Sequence, residues 1–490
     1  MKKVLFLSIV FIFLLNFMIV NAVSPKLTVY YMNWSPYSPL NQNQQVRDLP
    51  WDRLSAINHA FFRIVPNEDF TEFGIESITP SQDFRVGGAF DQYAEMHQLF
   101  PDVKITVSVG GWTDTRWFSL MASTDYGRAS FIQACIDLLI EFPFLRGIDI
   151  DWEFPGSARN HEGDEALMGG PHDRDNLTLL VREMREAFDM AGFYDHVITI
   201  AVPSDTNSMR NGNIVFDFTG LYPYLNQIKI MTYDMSGPWT GRANHHTALF
   251  QSNGVSSGVS VNEAVEYIMS LGIPPEMISI GSPLYSHGWI VEAADGWDAL
   301  GKSSREHPPS PLSPGQRHWH DIMALMQEPG WNLYHDEEAE ASFIFNSDPN
   351  SQHFRHFYTF ESERSLQAKL DYINELGLGG IIVWATAGDA MYPVADFPML
   401  TRMSVAFGIY DGEIPTFPIL IIEEPEEDLG LVAIEDVVQT LSPPVPIPTD
   451  EPEPIEDETS NVRFIVFATI PVVFFVLLIL FFKHRKNPPH

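Results

Sequence analysis

Three carboxylates alternate along one short apolar segment, and this segment has the residue types best suited to chemistry. From Gly147 to Glu153 the sequence reads Gly-Ile-Asp-Ile-Asp-Trp-Glu. Because successive side chains of a β-strand point to opposite faces, Asp149, Asp151 and Glu153 share one face. Carboxylates about 7 Å apart along a strand cannot all ionise cheaply in a protein interior, so at least one should hold a proton near neutrality. Glu153, nearest the end of the strand, is therefore the predicted proton donor, the role of a general acid in glycoside cleavage.

Two other interpretations of this segment are a metal site and an exposed acidic strand. Carboxylates bind Mg²⁺ or Ca²⁺, but the neighbouring sequence offers no histidine or further acidic cluster to complete a cage. We therefore expect neither a metal nor another cofactor. The apolar residues that flank each carboxylate disfavour a solvated acidic face.

The elements that must position this segment alternate between short β-rich runs and longer helical stretches, from about residue 25 to residue 410. The predicted strands are Leu27 to Tyr31, Ala56 to Phe62, Lys104 to Val109, Gly147 to Trp152, Val197 to Val202, Ile228 to Tyr233, Ile278 to Pro283 and Gly380 to Trp384. The helical candidates between them include Arg128 to Glu141, Asp175 to Met190, Val261 to Leu271 and Glu361 to Glu375. Eight strands with crossover helices predict an α/β fold, a closed parallel (β/α)8 TIM barrel whose chemistry lies at the strand ends.

One interval between the seventh and eighth strands is too long for a simple crossover. Residues 288–356 contain proline and glycine clusters and many aromatic residues, without a long helical pattern. We predict that this interval forms a small α+β insertion subdomain.

Two apolar segments bracket the predicted barrel. Residues 1–22 combine a basic start, an apolar run and small residues before the end, which predicts a cleaved signal peptide; an uncleaved anchor is the alternative. Residues 464–482 carry no charge, and at about 1.5 Å per residue they would span about 28 Å, close to a bilayer core. The basic residues of the tail, 483–490, predict a cytoplasmic C-terminus. We expect an exported protein held in the cell membrane by one C-terminal helix, with its N-terminus outside.

Composition narrows the possible partners. Residues 415–460 are acidic and proline-rich, which predicts a disordered stalk. The chain has 64 acidic and 29 basic residues and a formal charge of −35, which disfavours nucleic acid as a partner. The single cysteine, Cys135, leaves no intramolecular disulfide, and its apolar neighbours predict a buried helix residue. We expect a monomer.

Short motifs in chain order show that the sequence from about Leu27 to Phe407 resembles glycoside hydrolase family 18, the chitinase family. The acidic segment matches the family's Asp-Gly-x-Asp-x-Asp-x-Glu, except that Arg146 replaces the first Asp. Other similar segments are Ser108 to Gly111 (Ser-x-Gly-Gly), Met231 to Asp234 (Met-x-Tyr-Asp), Pro283 to Tyr285, Phe343 to Ser365 and the tryptophan Trp384.

The resemblance implies a retaining mechanism in which the substrate's own acetamido oxygen, and not an enzyme nucleophile, attacks the anomeric carbon. Glu153 would protonate the glycosidic oxygen and later act as base. Asp151 would stabilise the oxazolinium, and Asp149 would share a proton with it so that the pair titrates as a unit. Tyr233 would donate a hydrogen bond to the acetamido oxygen.

Further residues are expected to contact the sugar, because they belong to these motifs or because they are aromatic and end a strand. They are Trp384, Met231, Asp234, Trp112, Tyr31, Phe61, Ser108 and Tyr285. Core packing is the alternative for each aromatic residue, and it is disfavoured most clearly for Trp384.

Two departures from the family pattern stand out, at Arg146 and at His287, where the strand-seven motif normally has Arg. The first should change the support of the strand, and the second should change one subsite or subdomain contact. The resulting hypothesis is a chitinase that cleaves β-1,4-linked N-acetylglucosamine polymers. Two alternatives remain open: a related hydrolase of peptidoglycan or of the chitobiose core of N-glycans, and a catalytically silent chitin-binding protein.

Overall fold

The computed structural model describes residues 26–158, 169–252, 259–391 and 396–415. The predicted signal peptide, the predicted transmembrane segment with its tail, and all but the first residue of the predicted stalk lie outside these residues. Within the described ranges, no helix is both long enough and apolar enough to cross a membrane.

Eight parallel strands form a closed barrel, as predicted. The described residues contain fourteen strands, which are β1 (Leu27–Met32), β2 (Ala56–Pro66), β3 (Phe73–Ser77), β4 (Lys104–Gly110), β5 (Leu145–Asp151), β6 (Val197–Pro203), β7 (Gln227–Met231), β8 (Ile278–Pro283), β9 (Tyr285–Ile290), β10 (Arg317–His318), β11 (Trp331–Asp336), β12 (Ala341–Asn346), β13 (His356–Phe360) and β14 (Gly380–Trp384). The barrel order is β1-β14-β8-β7-β6-β5-β4-β2, and β1 pairs with β2 to close the ring.

Helices connect most of the barrel strands. Those in the described residues are α1 (Pro80–Asp83), α2 (Ala89–Leu99), α3 (Gly111–Asp114), α4 (Phe118–Ala122), α5 (Asp125–Glu141), α6 (Asp173–Met190), α7 (Thr206–Arg210), α8 (Phe218–Leu221), α9 (Val261–Ser270), α10 (Gly296–Ala299), α11 (Trp319–Leu325), α12 (Glu363–Leu376) and α13 (Pro398–Ala406). The four helices predicted from the sequence correspond to α5, α6, α9 and α12, with boundaries shifted by no more than a few residues.

Strand β5 carries the acidic segment and is buried on both faces. Its outward side chains pack under the helices: Ile148 and Ile150 are buried, and Trp152 stacks on Phe118 of α4 with ring centroids 5.2 Å apart. The strand ends at Asp151, where its ladder with β4 ends. The carboxylates are therefore left on the inner face, at the carboxyl end of the strand where active sites of such barrels lie.

Beyond the barrel ring, β2 is longer than predicted. It continues to Pro66 and pairs antiparallel with β3. The predicted end was Phe62, and Arg63 and Pro66 interrupt the apolar run beyond it.

A second sheet lies between β8 and β14 in the sequence. Its strands pair antiparallel in the order β10-β9-β13-β12-β11, and Trp289, Phe343 and Phe357 lie in its buried core. With the short helices α10 and α11, the interval has the α+β content expected from the sequence. The sheet starts at Tyr285 and ends at Phe360, outside the predicted limits of 288 and 356 on both sides. Its independence as a subdomain stays a prediction.

Candidate active site

Asp149 is held by side chains from several other strands of the barrel. It is fully buried and accepts hydrogen bonds from side chains on five other strands: Tyr30 (2.9 Å), Asn58 (2.8 Å), Ser108 (2.5 Å), Thr199 and Lys229 (2.9 Å). Burial alone would raise the pKa of this carboxyl, but the Lys229 ammonium and the hydroxyl donors outweigh burial and lower it. Asp149 is therefore a fixed negative charge inside the barrel.

Asp151, two residues on, has the opposite electrostatics. It is buried, and burial together with the nearby Glu153 and Asp149 carboxyls raises its pKa well above the ordinary value, although Lys229 opposes the shift. Its Oδ1 has no hydrogen-bond partner among the described residues. Of these two carboxyls, Asp151 is thus the one that takes up a proton first, whereas the family resemblance implies that the pair shares one.

Glu153 follows β5 directly and is partly buried. Its backbone N–H donates to Oγ1 of Thr115, 2.9 Å away. Thr115 is buried and follows α3, in the connection after β4. One loop therefore fixes the backbone at the point where the predicted proton donor leaves the strand.

Tyr233 lies just beyond β7 with its ring inside the barrel mouth. Burial and the charges of Asp151 and Asp234 raise the pKa of its hydroxyl well above the ordinary value, so the hydroxyl remains a hydrogen-bond donor. A Cβ on Gly281 of β8 would lie 2.6 Å from Cε1 of Tyr233. Glycine at this position is needed for the ring to pack against the strand.

An aromatic cluster forms another part of the mouth. Trp384 stacks on Phe61 with centroids 5.6 Å apart at 21°, and its ring lies 6.5 Å from that of Trp34 and 5.6 Å from that of Tyr30. Trp384 is only partly buried. It ends β14, so the cluster offers an apolar face at the carboxyl end of the barrel.

The remaining predicted contact residues are placed differently from one another. Trp112 is 57% exposed on α3, and Met231 is the last residue of β7, opposite Pro203. The structure does not bring Tyr31 into the site. Tyr31 is fully buried, its ring packs edge-on against Tyr93, and its hydroxyl donates to the backbone oxygen of residue 44. It points outward because its neighbour Tyr30 points into the barrel.

Asp234, after Tyr233, has a left-handed backbone with φ of 57°. One of its oxygens accepts hydrogen bonds from the Tyr285 hydroxyl at 2.5 Å and from His287 Nε2 at 2.7 Å. The departure at His287 therefore has a clear consequence: an imidazole contacts Asp234 where the family pattern has a guanidinium.

A second histidine, His246, completes this group. Its ring lies 5.1 Å from the His287 ring and is almost perpendicular to it. One ligand atom from each of Asp234, His246 and His287 lies within 4.8 Å of the other two. The sequence near the acidic segment offers no histidine cluster, so this group was not predicted. Its three positions are separated in the sequence and meet only in the fold.

Arg146, the other departure, lies at the opposite end of β5. Its Nη1 donates to the backbone oxygen of Pro143 at 2.6 Å. It is separated from Glu153 by the length of the strand, so its contacts are with the support of β5 and not with the carboxylates.

Lys229 is the most important site residue that was not predicted from the sequence. It is the buried counter-charge of Asp149. A signal for it existed, because Lys229 stands two residues before Met231 and strand alternation places both on one face. Asn58 and Thr199 carry a similar, weaker signal as polar residues within apolar strands.

Comparison with known proteins agrees with this geometry. The family profile described as Glycosyl hydrolases family 18 matches residues 26–389. Chitinase A1 of Niallia circulans is 25% identical over 415 residues, covering 75% of this chain and 57% of that protein. The endochitinase of Manduca sexta is 26% identical over 372 residues, covering 74% of this chain and 63% of that protein. The alignments thus span less than two thirds of either relative.

Among solved structures, the Group IV chitinase of Ostrinia furnacalis in complex with allosamidin superposes with a TM-score of 0.67 at 26% identity. This superposition covers 78% of this chain and 99% of that one. Since the family profile matches well over half of the residues, in the part that contains the barrel and its carboxylates, the chain belongs to glycosyl hydrolases family 18.

Proposed function

We propose that this protein is a chitinase that hydrolyses β-1,4-linked N-acetylglucosamine polymers by a retaining, substrate-assisted mechanism. The observation that carries the proposal is Asp151, a buried carboxyl with a raised pKa and an Oδ1 that has no partner among the described residues. A buried acceptor without a partner is costly, and the acetamido N–H of the substrate would satisfy it. The relatives in Niallia circulans and Manduca sexta are a chitinase and an endochitinase, and the Ostrinia chitinase binds allosamidin, which supports a substrate of this class.

In the proposed first step, Glu153 donates its proton to the glycosidic oxygen and the bond from that oxygen to the anomeric carbon breaks. The acetamido carbonyl oxygen attacks the anomeric carbon, forming a positively charged oxazolinium. Oδ1 of Asp151 accepts a hydrogen bond from the acetamido N–H and thereby stabilises the positive charge on this ring. The Tyr233 hydroxyl, kept protonated by its raised pKa, donates to the acetamido oxygen and orients it.

In the second step, Glu153 removes a proton from water, the resulting hydroxide attacks the anomeric carbon, and the ring opens with net retention. Asp149 does not contact the sugar in this scheme. Burial, Glu153 and the charge of Asp149, which is fixed by Lys229 and four other donors, together keep the pKa of Asp151 high.

We further propose that the five-stranded sheet acts as an insertion subdomain and raises one wall of the cleft. Its first strand, β9, carries Tyr285 and His287, which both contact Asp234. The sheet is thereby joined to the barrel mouth, beside the subsite that Trp384 would line. A wall of this kind favours a long polymer over a branched glycan core.

Hydrolysis of a fluorogenic chitin trimer tests the function. The unmodified protein should cleave it, and Glu153→Gln should lower kcat by about 10²–10⁴-fold, since this is the usual share of general acid catalysis. The matched control is Glu141→Gln, an exposed carboxyl at the end of α5, which should leave kcat unchanged.

Parallel assays separate the alternatives. Cleavage of peptidoglycan or of an N-glycan core at rates above those on chitin oligomers would move the substrate assignment to the related hydrolases. Tight binding of chitin oligomers without turnover would identify a silent binding protein. Full activity of Glu153→Gln would contradict the residue assignment and leave the family intact.

The location of the protein is a separate proposal that rests on the sequence of residues 1–22 and 464–482. We propose export and a single C-terminal membrane span with the barrel outside. Protease added to intact cells should remove the barrel and spare a C-terminal epitope placed after residue 490. Protection of the barrel would contradict this topology.

A further inference from the structure

We propose that Asp234, His246 and His287 bind a divalent transition-metal ion of the Zn²⁺ class at the edge of the cleft. The proposal goes beyond the hydrolysis described above and does not depend on it. It rests on three observations: the convergence of three ligand atoms, buried ring nitrogens without partners, and an open side toward solvent.

The convergence comes from three separate parts of the chain. Asp234 follows β7, His287 lies on β9, and the backbone oxygen of His246 accepts a hydrogen bond from the Met235 N–H at 3.1 Å. Their ligand atoms lie within 4.8 Å of one another. Zn²⁺ bonds of about 2.0–2.2 Å in a tetrahedral arrangement separate ligand atoms by about 3.3 Å, so small side-chain movements would complete the geometry.

The ring of His246 is fully buried, and neither of its nitrogens has a hydrogen-bond partner of good geometry among the described residues. Nδ1 of the buried His287 is in the same condition. Buried polar atoms without partners are rare because they cost free energy. A metal ion would satisfy one nitrogen of the His246 ring, and it would bind His287 through Nε2, which now contacts Asp234.

The donor set selects the class of ion. Two imidazole nitrogens and one carboxylate oxygen suit Zn²⁺, Co²⁺, Ni²⁺ or Cu²⁺, whereas Mg²⁺ and Ca²⁺ prefer sites built from oxygen alone. The Asp234 side chain is 48% exposed, so the fourth position would face the cleft and be open to water or to a sugar hydroxyl. Three protein ligands with one open position are typical of an accessible zinc site.

Binding requires one rearrangement that the local contacts allow. His287 Nε2 now donates to Asp234, 2.7 Å away, and a metal would take the place of that proton. The proton can move to Nδ1 of the same ring, which keeps the imidazole neutral. The tyrosine hydroxyl on Asp234 can stay, because a carboxylate accepts several bonds.

The experiment is a titration of the full chain in detergent micelles, purified through a tag without histidine and freed of metal by a chelator. With Co²⁺ as the probe, the unmodified protein should show visible d–d absorption that saturates at one ion per chain and is displaced by Zn²⁺. His246→Gln and Asp234→Asn should each weaken Co²⁺ binding at least about tenfold, as loss of a ligand or its support does. Asp234→Asn changes an exposed side chain, so it keeps the test informative if the buried histidine variant fails to fold.

The matched control is His320→Gln, which removes a partly buried imidazole on α11, outside the group. Its Co²⁺ spectrum should equal that of the unmodified protein. Near-ultraviolet circular dichroism identifies variants that are folded. Absence of Co²⁺ and Zn²⁺ binding to the folded unmodified protein would overturn the proposal, as would a spectrum unchanged in folded His246→Gln and Asp234→Asn. Because no sugar is present, failure here would leave the proposed hydrolysis untouched.

Discussion

At the scale of single residues, two carboxyls on one strand face opposite electrostatic conditions. Asp149 is surrounded by five donors and stays charged, whereas Asp151 meets two neighbouring carboxyls in a buried place and prefers a proton. The difference arises from partners and not from depth, since both side chains are buried. Asp149 is therefore a structural charge, whereas Asp151 is the carboxyl available for chemistry.

Asp151→Asn should make the protein more stable at high pH while lowering kcat about 10²–10³-fold, the usual effect of losing one charge stabiliser. A carboxyl whose pKa is raised by folding favours the folded state when protonated. The stability of the unmodified protein should therefore fall as pH rises through the raised pKa of Asp151, and the variant should lack this fall. Urea unfolding across a pH series measures it.

The control for this comparison is Asp102→Asn, at an exposed position, which should change neither stability nor kcat. A folded Asp151→Asn protein that is less stable than the unmodified protein at high pH would contradict the raised pKa.

Lys229→Met should cost about 3–5 kcal/mol of unfolding free energy, because it leaves the Asp149 carboxylate buried without its counter-charge. Guanidinium unfolding measures the loss. The control is Arg63→Met, which breaks an ion pair with Glu76 that is half-exposed and should cost less than about 1 kcal/mol. Equal losses of unfolding free energy in the two variants would contradict the burial of the Asp149–Lys229 pair.

The same pair predicts the response to acid. Folding lowers the pKa of Asp149, so its contribution is present above the unfolded-state pKa and is lost as pH falls through the folded-state pKa. The difference between Lys229→Met and the unmodified protein should therefore shrink in acid.

The residues of the site could be predicted from the sequence only where a motif or strand alternation marks them. Asp149, Asp151 and Glu153 can be predicted from their alternate spacing along one strand. Which of Tyr30 and Tyr31 points into the barrel cannot be predicted, since a strand that is apolar and buried on both faces does not show which face is inside. The approach of His246 to His287 depends on the path of two loops, which no local pattern encodes.

At the scale of elements, the connection after β4 and the end of β5 act together. The Thr115 hydroxyl accepts the Glu153 backbone N–H at 2.9 Å. Loss of a hydrogen-bond partner for a buried backbone N–H costs about 1–3 kcal/mol. Without the Thr115 hydroxyl, the backbone at Glu153 could avoid this cost by shifting, and the Glu153 side chain would shift with it. The position of the proton donor therefore depends on a loop from the neighbouring strand.

Thr115→Val should lower kcat about tenfold, because a small misplacement of a catalytic group has a large effect on rate, while KM changes little. Thr115→Ser keeps the hydroxyl and should restore kcat. Steady-state kinetics on a chitin trimer distinguish the two. If both variants matched the unmodified protein, the loop would have no positioning role.

Gly281→Ala should displace Tyr233, since the added methyl would lie 2.6 Å from its ring. Overpacking of this kind costs about 1–3 kcal/mol, and the shifted hydroxyl should lower kcat as well. Tyr233→Phe isolates the hydroxyl: its kcat should fall without the loss of stability. A Gly281→Ala protein with unchanged kcat and unfolding midpoint would contradict the tight packing at β8.

The barrel strands were predictable because each is a short apolar run followed by a helical pattern, which has few interpretations. The β2–β3 hairpin was not predictable, because it pairs polar with apolar residues outside the ring. The limits of the second sheet were also misplaced, since Tyr285 and Phe360 look like continuations of the neighbouring barrel segments. Pairing between distant strands decides such boundaries.

At the scale of the whole molecule, charge should govern which polymers bind well. The chain has a formal charge of −35, whereas fully acetylated chitin is neutral and partly deacetylated chitin carries ammonium groups. The excess of acidic residues attracts a cationic chain over a distance set by salt, about 30 Å at 0.01 M and about 8 Å at 0.15 M.

KM for a partly deacetylated oligomer should therefore rise with salt, while KM for the fully acetylated oligomer of equal length stays constant. Initial rates at the two salt concentrations measure this difference. The same salt dependence for both oligomers would assign it to the protein's own conformation and exclude long-range attraction.

The five strands that reach Asp149 also bear on when the protein can become active during its synthesis. A nascent chain that has emerged only as far as β5 contains Asp149 but lacks Thr199 and Lys229, so its carboxylate has no counter-charge. Burying an ionised carboxylate without a counter-charge is costly. The mouth of a half-formed barrel should therefore stay hydrated and loosely packed. We therefore expect a nascent chain that ends at β5 to lack the proposed hydrolytic activity, which should appear only when the ring closes.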